Sequence, residues 1–217
     1  AFQAGSYVQS CVRFNTYVGV AVVMNALGDE GIKVFGILIG VIIPIINVLV
    51  IIVLIWHSGE DYTMQQRLRY GAKALVSNPL IIGCLSGILY ANTIGRFPVF
   101  LDNTFALMSM VALPLALLSI GGVLTFRSLK SHLRLSLIAS IFKLVLLPVV
   151  GYCMLKLFGV TGLAFRTAML FFAMPTSTAL YVLSAQLNSD TKLASASIVL
   201  STLISFIPLS IALLLPG

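Results

Sequence analysis

Two apolar stretches of this chain are interrupted at matching places by residues that disfavour a helix. The first interruption is Arg13-Phe14-Asn15-Thr16-Tyr17-Val18-Gly19, and the second is Ala173-Met174-Pro175-Thr176-Ser177-Thr178-Ala179. A shift of 161 residues lays Phe14 on Pro175, Asn15-Thr16 on Thr176-Ser177, and Asp29 on Asp190. Backbone groups freed by such a break find no water in hydrocarbon, so a break at membrane depth survives only inside protein or beside a wet cavity. Interrupted segments in corresponding positions of two halves point to a cargo site between them.

The apolar surroundings are not in question. The chain is 59% apolar and 9% charged, with mean hydropathy +1.10, where a soluble domain carries about 25% charged residues. It reads as an integral membrane protein. Its net charge of +7 comes from 13 basic residues spread along the chain and mostly in loops, a pattern of membrane topology and not of nucleic-acid binding. Cys11, Cys84 and Cys153 are dispersed in or beside apolar runs and read as packing residues. His57 and His132 sit in loops, and the sequence has no phosphate loop, nucleophile elbow or metal-ligand spacing. A non-enzymatic protein without a cofactor is expected. The opening Ala1-Phe2-Gln3, with no Met and no leader pattern, reads as the interior of a longer protein.

A helical span needs about 20 mostly apolar residues. Seven candidates follow: 6–27, interrupted near 13–15; 32–56; a short one at 79–91; 100–124; 133–158; 162–187, interrupted at Pro175; and 193–215. The longest connection, 57–78, reads as a cytoplasmic loop. Its second half, Met64 to Leu75, is either a basic amphipathic helix at the interface or solvated chain. That loop and the one carrying Arg127, Lys130, His132 and Arg134 hold three Lys or Arg each, which places both in the cytoplasm. Lys192 then lies on the same side. Asp29, Glu30, Lys33 and the C-terminus lie outside. Asp29 and Asp190 are expected to cap the helices that follow them.

The interrupted spans are five apart. Five is odd, so they cross in opposite directions, which makes an inverted repeat. Pro44 and Pro208 recur at a shift of 164. The expected fold is an all-α polytopic membrane protein of inverted five-helix repeats. Residues 1–56 supply the last two helices of the first repeat and 79–217 a complete second one. Three spans, roughly 100 residues with their loops, are expected upstream.

At these residues the chain resembles the auxin efflux carrier family, most closely its bacterial permease branch. The ordered set that carries the resemblance begins with Arg13 to Gly19, Gly28-Asp29-Glu30-Gly31 and Pro44 to Val48. It continues through Asn78 to Ile81, Leu113 to Gly122, Lys143 to Pro148, Ala173 to Val182 and Ala194 to Thr202. The resemblance implies ten spans, with the two interrupted helices crossing in a mobile bundle set against a scaffold. It also implies transport of small organic anions, auxin in plants and dicarboxylates such as malonate or malate in bacteria. Three departures are visible. Phe14 stands where plant members have proline, Ala21 where the bacterial pattern often has proline, and Thr176 where plant members have asparagine.

The chemistry of the crossing follows from the helix ends. Each half-helix starts with free N–H groups and about half a unit of positive charge. Two such ends meeting at mid-membrane make an anion site without a lysine. Asn15, Thr16, Thr176 and Ser177 add neutral donors and acceptors. Helix-breaking and polarity coincide at Pro175. Hydroxyls bonded to their own helix carbonyls are the alternative reading of these residues. Lys143 lies near the middle of its span, where a charge costs about 3 kcal/mol on insertion scales. It attracts substrate, replaces a coupling ion, or merely snorkels. Arg13, beside the first break, pairs with substrate or with an upstream acid.

The sequence therefore reads as a secondary active transporter of small organic anions in the bacterial inner membrane. Asn15, Thr16, Pro175, Thr176, Ser177, Lys143 and Arg13 form the candidate site. The expected partners are the anion, the lipid bilayer, a coupling proton or sodium ion, and a second copy in a homodimer. The alternatives are a sodium-coupled bile-acid-like symporter of the same fold and a seven-helix receptor or sensor.

Overall fold

The computed structural model describes residues 2–56, 63–77, 79–123, 129–186 and 189–216. Every regular element among them is helical. In chain order these are α1 (Phe2–Val12), α2 (Thr16–Trp56), α3 (Met64–Val76), α4 (Pro79–Thr93), α5 (Val99–Val123) and α6 (Leu129–Ile141). A π turn at Phe142–Leu146 leads into α7 (Leu147–Leu157), then α8 (Gly162–Phe172), α9 (Ala179–Gln186), α10 (Thr191–Ile204) and α11 (Phe206–Leu214). The protein is an all-α polytopic membrane protein. Among the described residues three stretches, 3–53 with its interruption at 13–15, 132–157 and 191–214, are long and apolar enough to cross a bilayer. The apolar helices at 81–93, 99–112 and 162–172 are shorter. His57, Asn78, Arg127 and Leu187, which belong to the loops and span ends above, lie outside the described residues.

Side chains on the bilayer side need no protein partner. Ile37, Val41, Ile45, Leu49 and Ile52 run down one face of α2 at three- and four-residue steps and are all exposed. That stripe suits lipid tails as solvent. The opposite choice is made on α10, where Leu193, Ala194, Ser195, Ala196, Ser197, Ile198, Val199 and Ser201 are buried. Small residues there let helix axes approach closely, and Ser197 donates to Ser136 of α6 at 3.3 Å.

The helices deviate where the sequence forces them to. Gly28, inside α2, has φ 65° and ψ −160°, a region open almost only to glycine. It divides α2 into two arms. The expected loop between 27 and 32 is thus a single residue. Asp29 makes no capping bond among the described residues, because helical geometry resumes at once. A Cβ on Gly28 would meet nothing within 4 Å, so the constraint is backbone conformation alone. Gly28→Ala is expected to cost about 1–3 kcal/mol, read as a lower melting temperature in detergent. The π turn precedes Pro148, which has no N–H for the carbonyl four residues back. One wider turn relieves that clash, with Leu147 N–H reaching Phe142 O. Pro208 likewise offers no N–H to the carbonyl of Ile204, and the helix is interrupted at Ser205, between α10 and α11.

The connection 57–78, read as a cytoplasmic loop, carries α3. Thr63 and Gln66 form a reciprocal cap: Thr63 N–H donates to Gln66 Oε1 at 2.9 Å, and Gln66 N–H to Thr63 Oγ1 at 3.3 Å. Such a capping box starts a helix in solvent. The exposed Gln65, Gln66, Arg69 and Lys73 give it a polar face.

At one end of the bundle Asp190 caps α10, accepting from Lys192 N–H at 3.0 Å and Leu193 N–H at 2.9 Å. Gln3 Nε2 donates to it at 3.1 Å, and His132 Nε2 lies 3.3 Å away. The beginnings of α1, α6 and α10 therefore meet at one end. Burial pushes the Asp190 carboxyl up, but the amides of Leu193 and Lys192, Gln3 and nearby His132 together hold it below the usual carboxylate range. A depressed native value means the stabilisation is complete above the unfolded value near 4 and fades as pH falls through the native one. Asp190→Ala is expected to lose about 1 kcal/mol at neutral pH and to lose part of the acid sensitivity, checked by melting from pH 7 to pH 3.

Candidate functional site

The two interruptions touch. Residues 13–15 leave helical geometry between α1 and α2, and 173–178 do so between α8 and α9. Asn15 N–H donates to Pro175 O at 2.9 Å. Proline at 175 ends α8 by removing a donor, and the polar residues after it supply replacements. Thr176 N–H donates to Ser201 Oγ of α10 at 3.2 Å, and Ala179 N–H to Ser177 Oγ at 3.2 Å. On the first side Asn15 is the N-cap of α2, its Oδ1 accepting from Val18 N–H at 3.2 Å. Beneath the contact lies the apolar core, with Val23, Phe35, Phe165, Met169, Phe171 and Met174 buried together. Gly19 lets α2 pass this close: a Cβ there would lie 2.5 Å from Met174 Cε and 2.6 Å from Phe35 Cζ.

A cavity of about 140 Å³ opens at the contact. Its polar lining is Arg13, Thr16, Tyr17, Asn47, Ser177 and Thr178. Phe14, Phe171, Ile42 and Ile46 form apolar walls. A cavity of about 150 Å³ holds a benzene-sized molecule, so this one suits a ligand of a few heavy atoms. The backbone N–H groups of Thr16, Tyr17, Ser177 and Thr178 have no protein acceptor among the described residues. They are the unpaired leading amides of α2 and α9, and the residues that carry them line one cavity.

One basic side chain lines it and a second lies behind its Phe14 wall. Arg13 is 6% exposed, donating from Nε to Gln9 Oε1 at 3.0 Å and from an Nη to Asn47 Oδ1 at 2.8 Å. Both partners are neutral, so its charge is held in place without being cancelled. Lys143 is fully buried on the π turn, and its Nζ has no hydrogen-bond partner among the described residues. It sits over the Phe14 ring, 3.2 Å from the centroid. A desolvated cation–π contact contributes about 2 kcal/mol, most of the cost of about 3 kcal/mol for a mid-span charge. No Asp or Glu lines the cavity among the described residues.

The expected site residues therefore separate into layers. Arg13, Thr16 and Ser177 line the cavity. Asn15, Pro175 and Thr176 form the buried contact behind it, with Asn15 Nδ2 and Thr176 Oγ1 left without partners among the described residues. Lys143 lies behind Phe14 and does not line the cavity. Arg13 bonds the amide oxygens of Gln9 and Asn47. Asn47, Tyr17, Thr178 and Ser201 join the site without having been expected there. Asn47 carried a usable signal, as a polar residue in a mid-span position just after Pro44.

The family model described as membrane transport protein matches residues 19–213. The match starts just after the first break. An uncharacterized transporter of Methanocaldococcus jannaschii is 28% identical over 135 residues, 61% of this chain and 44% of its own length. A Rhizobium meliloti protein provisionally named a malonate transporter is 31% identical over 136 residues, 62% of this chain and 42% of its own length. The chain thus spans less than half the length of these curated relatives. A match over most of the chain, on a helical membrane protein with a broken-helix contact, settles membership: the chain belongs to the membrane transport protein family, that of the auxin efflux carriers.

Proposed function

We propose that this chain is part of a secondary active transporter of small organic anions, with the anion bound in the cavity where the two broken helices cross. One observation carries the reading: residues with unpaired leading amides of α2 and α9 line one cavity together with Arg13, with no carboxylate among its described lining residues. Aligned amides and helix dipoles favour an anion there. Half-helix ends meeting at mid-membrane are the arrangement transporters use for anionic groups. Neutral Asn15, Thr16, Thr176 and Ser177 orient the ligand and still release it. The Rhizobium meliloti relative is named for malonate, a small dicarboxylate that matches the cavity in size and sign.

In this reading α4 to α11 form one five-helix repeat and α1–α2 the end of its inverted partner. The bundle carrying the crossing moves between two faces of the membrane. The Lys- and Arg-bearing connections, 57–78 and the one before α6, face the cytoplasm, and the C-terminus faces outward.

The test is uptake of labelled malonate by the whole carrier in proteoliposomes, with pH and sodium gradients as separate arms. Saturable uptake that an excess of unlabelled dicarboxylate abolishes is the expected result. Uptake no faster than into empty liposomes, for malonate and for monocarboxylates alike, would sink the reading. The gradient that accelerates uptake identifies the coupling ion.

A further inference from the structure

We propose that the Phe14 ring is the resting partner of the Lys143 ammonium: it shields that buried charge while the carrier is empty and gives way when a substrate carboxylate arrives. This rests on the anion-carrier reading above.

Four observations meet at this point. Lys143 is fully buried and its Nζ lacks a hydrogen-bond partner among the described residues; the Phe14 ring lies over it at 3.2 Å, and the buried Cys11 thiol is also close enough to interact with it. Phe14 lines the cavity while Lys143 does not. The ring therefore stands between the amine and the space a ligand would enter. Phe14 belongs to the non-helical stretch 13–15, where no helical ladder fixes its backbone. Its ring also lies 4.0 Å from that of Phe171 at a tilt of 32°, and the two rings together form an aromatic wall of the cavity.

The physical need is specific to a carrier. A loaded site crosses the membrane with its cations paired to the anion. After release it must return empty, and an ammonium in a dry interior then needs a substitute partner. An aromatic face supplies one without a second charge, and a second charge would compete with cargo. The ring should therefore matter more for the empty return than for the loaded crossing.

Net uptake requires the empty return, whereas exchange of internal for external malonate does not. The experiment compares the two rates in proteoliposomes holding the whole carrier. Phe14→Leu keeps bulk and removes the aromatic face, so the ratio of net uptake to exchange should fall about tenfold. Phe14→Tyr should keep the wild-type ratio. The double variant Phe14→Leu with Lys143→Gln removes the charge that needs shielding and should recover the ratio. If Phe14→Leu folds poorly, recovery of folded protein in the double variant reports the same coupling. An unchanged ratio in the Leu variant, or a double variant as impaired as the single, overturns the inference alone. Wild-type carrier that exchanges neither malonate nor a monocarboxylate overturns the anion reading and this inference with it.

Discussion

Asn15→Asp is expected to cut malonate uptake about a thousandfold while the protein still inserts and folds. The carboxylate has the shape of the amide and can still accept from Val18 N–H, so the cap survives. The lost Nδ2 had no partner among the described residues, so its removal strands nothing. What changes is charge, at a position 1% exposed and next to the cavity-lining Thr16. Arg13, two positions away along the chain and bonded to neutral partners, is a buried cation that can balance the new charge. The substrate would then meet a carboxylate already in place. Two like charges about 4 Å apart at an effective dielectric near 20 repel by about 4 kcal/mol, close to a factor of 10³. Asn15→Ser keeps an acceptor and adds no charge, and should stay within about tenfold of wild type. Initial uptake rates, normalised to folded protein in the liposomes, decide the matter. An Asp variant as active as the Ser variant would remove the anion from this site.

Gly19→Val is expected to lower stability by about 3 kcal/mol and to abolish uptake together with it. The added methyls would enter space held by Met174 and Phe35, which are 0% and 1% exposed. A Cβ alone would already lie 2.6 Å from Met174 Sδ. The far ends of both side chains must shift within a buried core, and overpacking a filled core costs about 1–3 kcal/mol. The strain falls one turn from the Asn15–Pro175 bond, because Gly19 N–H donates to Asn15 O at 3.0 Å. Separating the breaks should scatter the amides of the residues that line the cavity. Gly19→Ala should show a smaller loss in the same direction. A valine variant with wild-type melting temperature in detergent would show that α2 does not pass this closely.

The positions of the two breaks were legible in the sequence because polar or proline residues inside an apolar run seldom persist in a membrane unless the helix opens there. Their opposition at Asn15 and Pro175 followed from the matching offset. The layering of the site was not legible. Lys143 stood out as a mid-span charge, but the identity of its neighbour depends on how α1, the π turn and α8 pack, and no spacing in the chain encodes a ring 129 positions away (143 − 14). Asn47 was hidden for a similar reason, since its contact with Arg13 joins two helices across 34 residues. Gly28 misled in a different way. Gly-Asp-Glu suggests a loop with an acidic cap, and only the backbone angles show that glycine alone makes the break. Asp190, in the equivalent place, does cap its helix because the chain there arrives extended, at ψ 97°.

The bond from Asn15 N–H to Pro175 O has a mechanical corollary. It is a peptide link between two strands of chain that would otherwise slide freely, and at this depth no solvent replaces it once broken. Opening it would strand a donor and an acceptor at several kcal/mol. The pair should therefore travel as one piece, with Ser201 and α10 tied to it through Thr176. In the carrier proposed above, cargo would be ferried with its berth, and the hinges for the trip would lie in the chain around this knot and not within it.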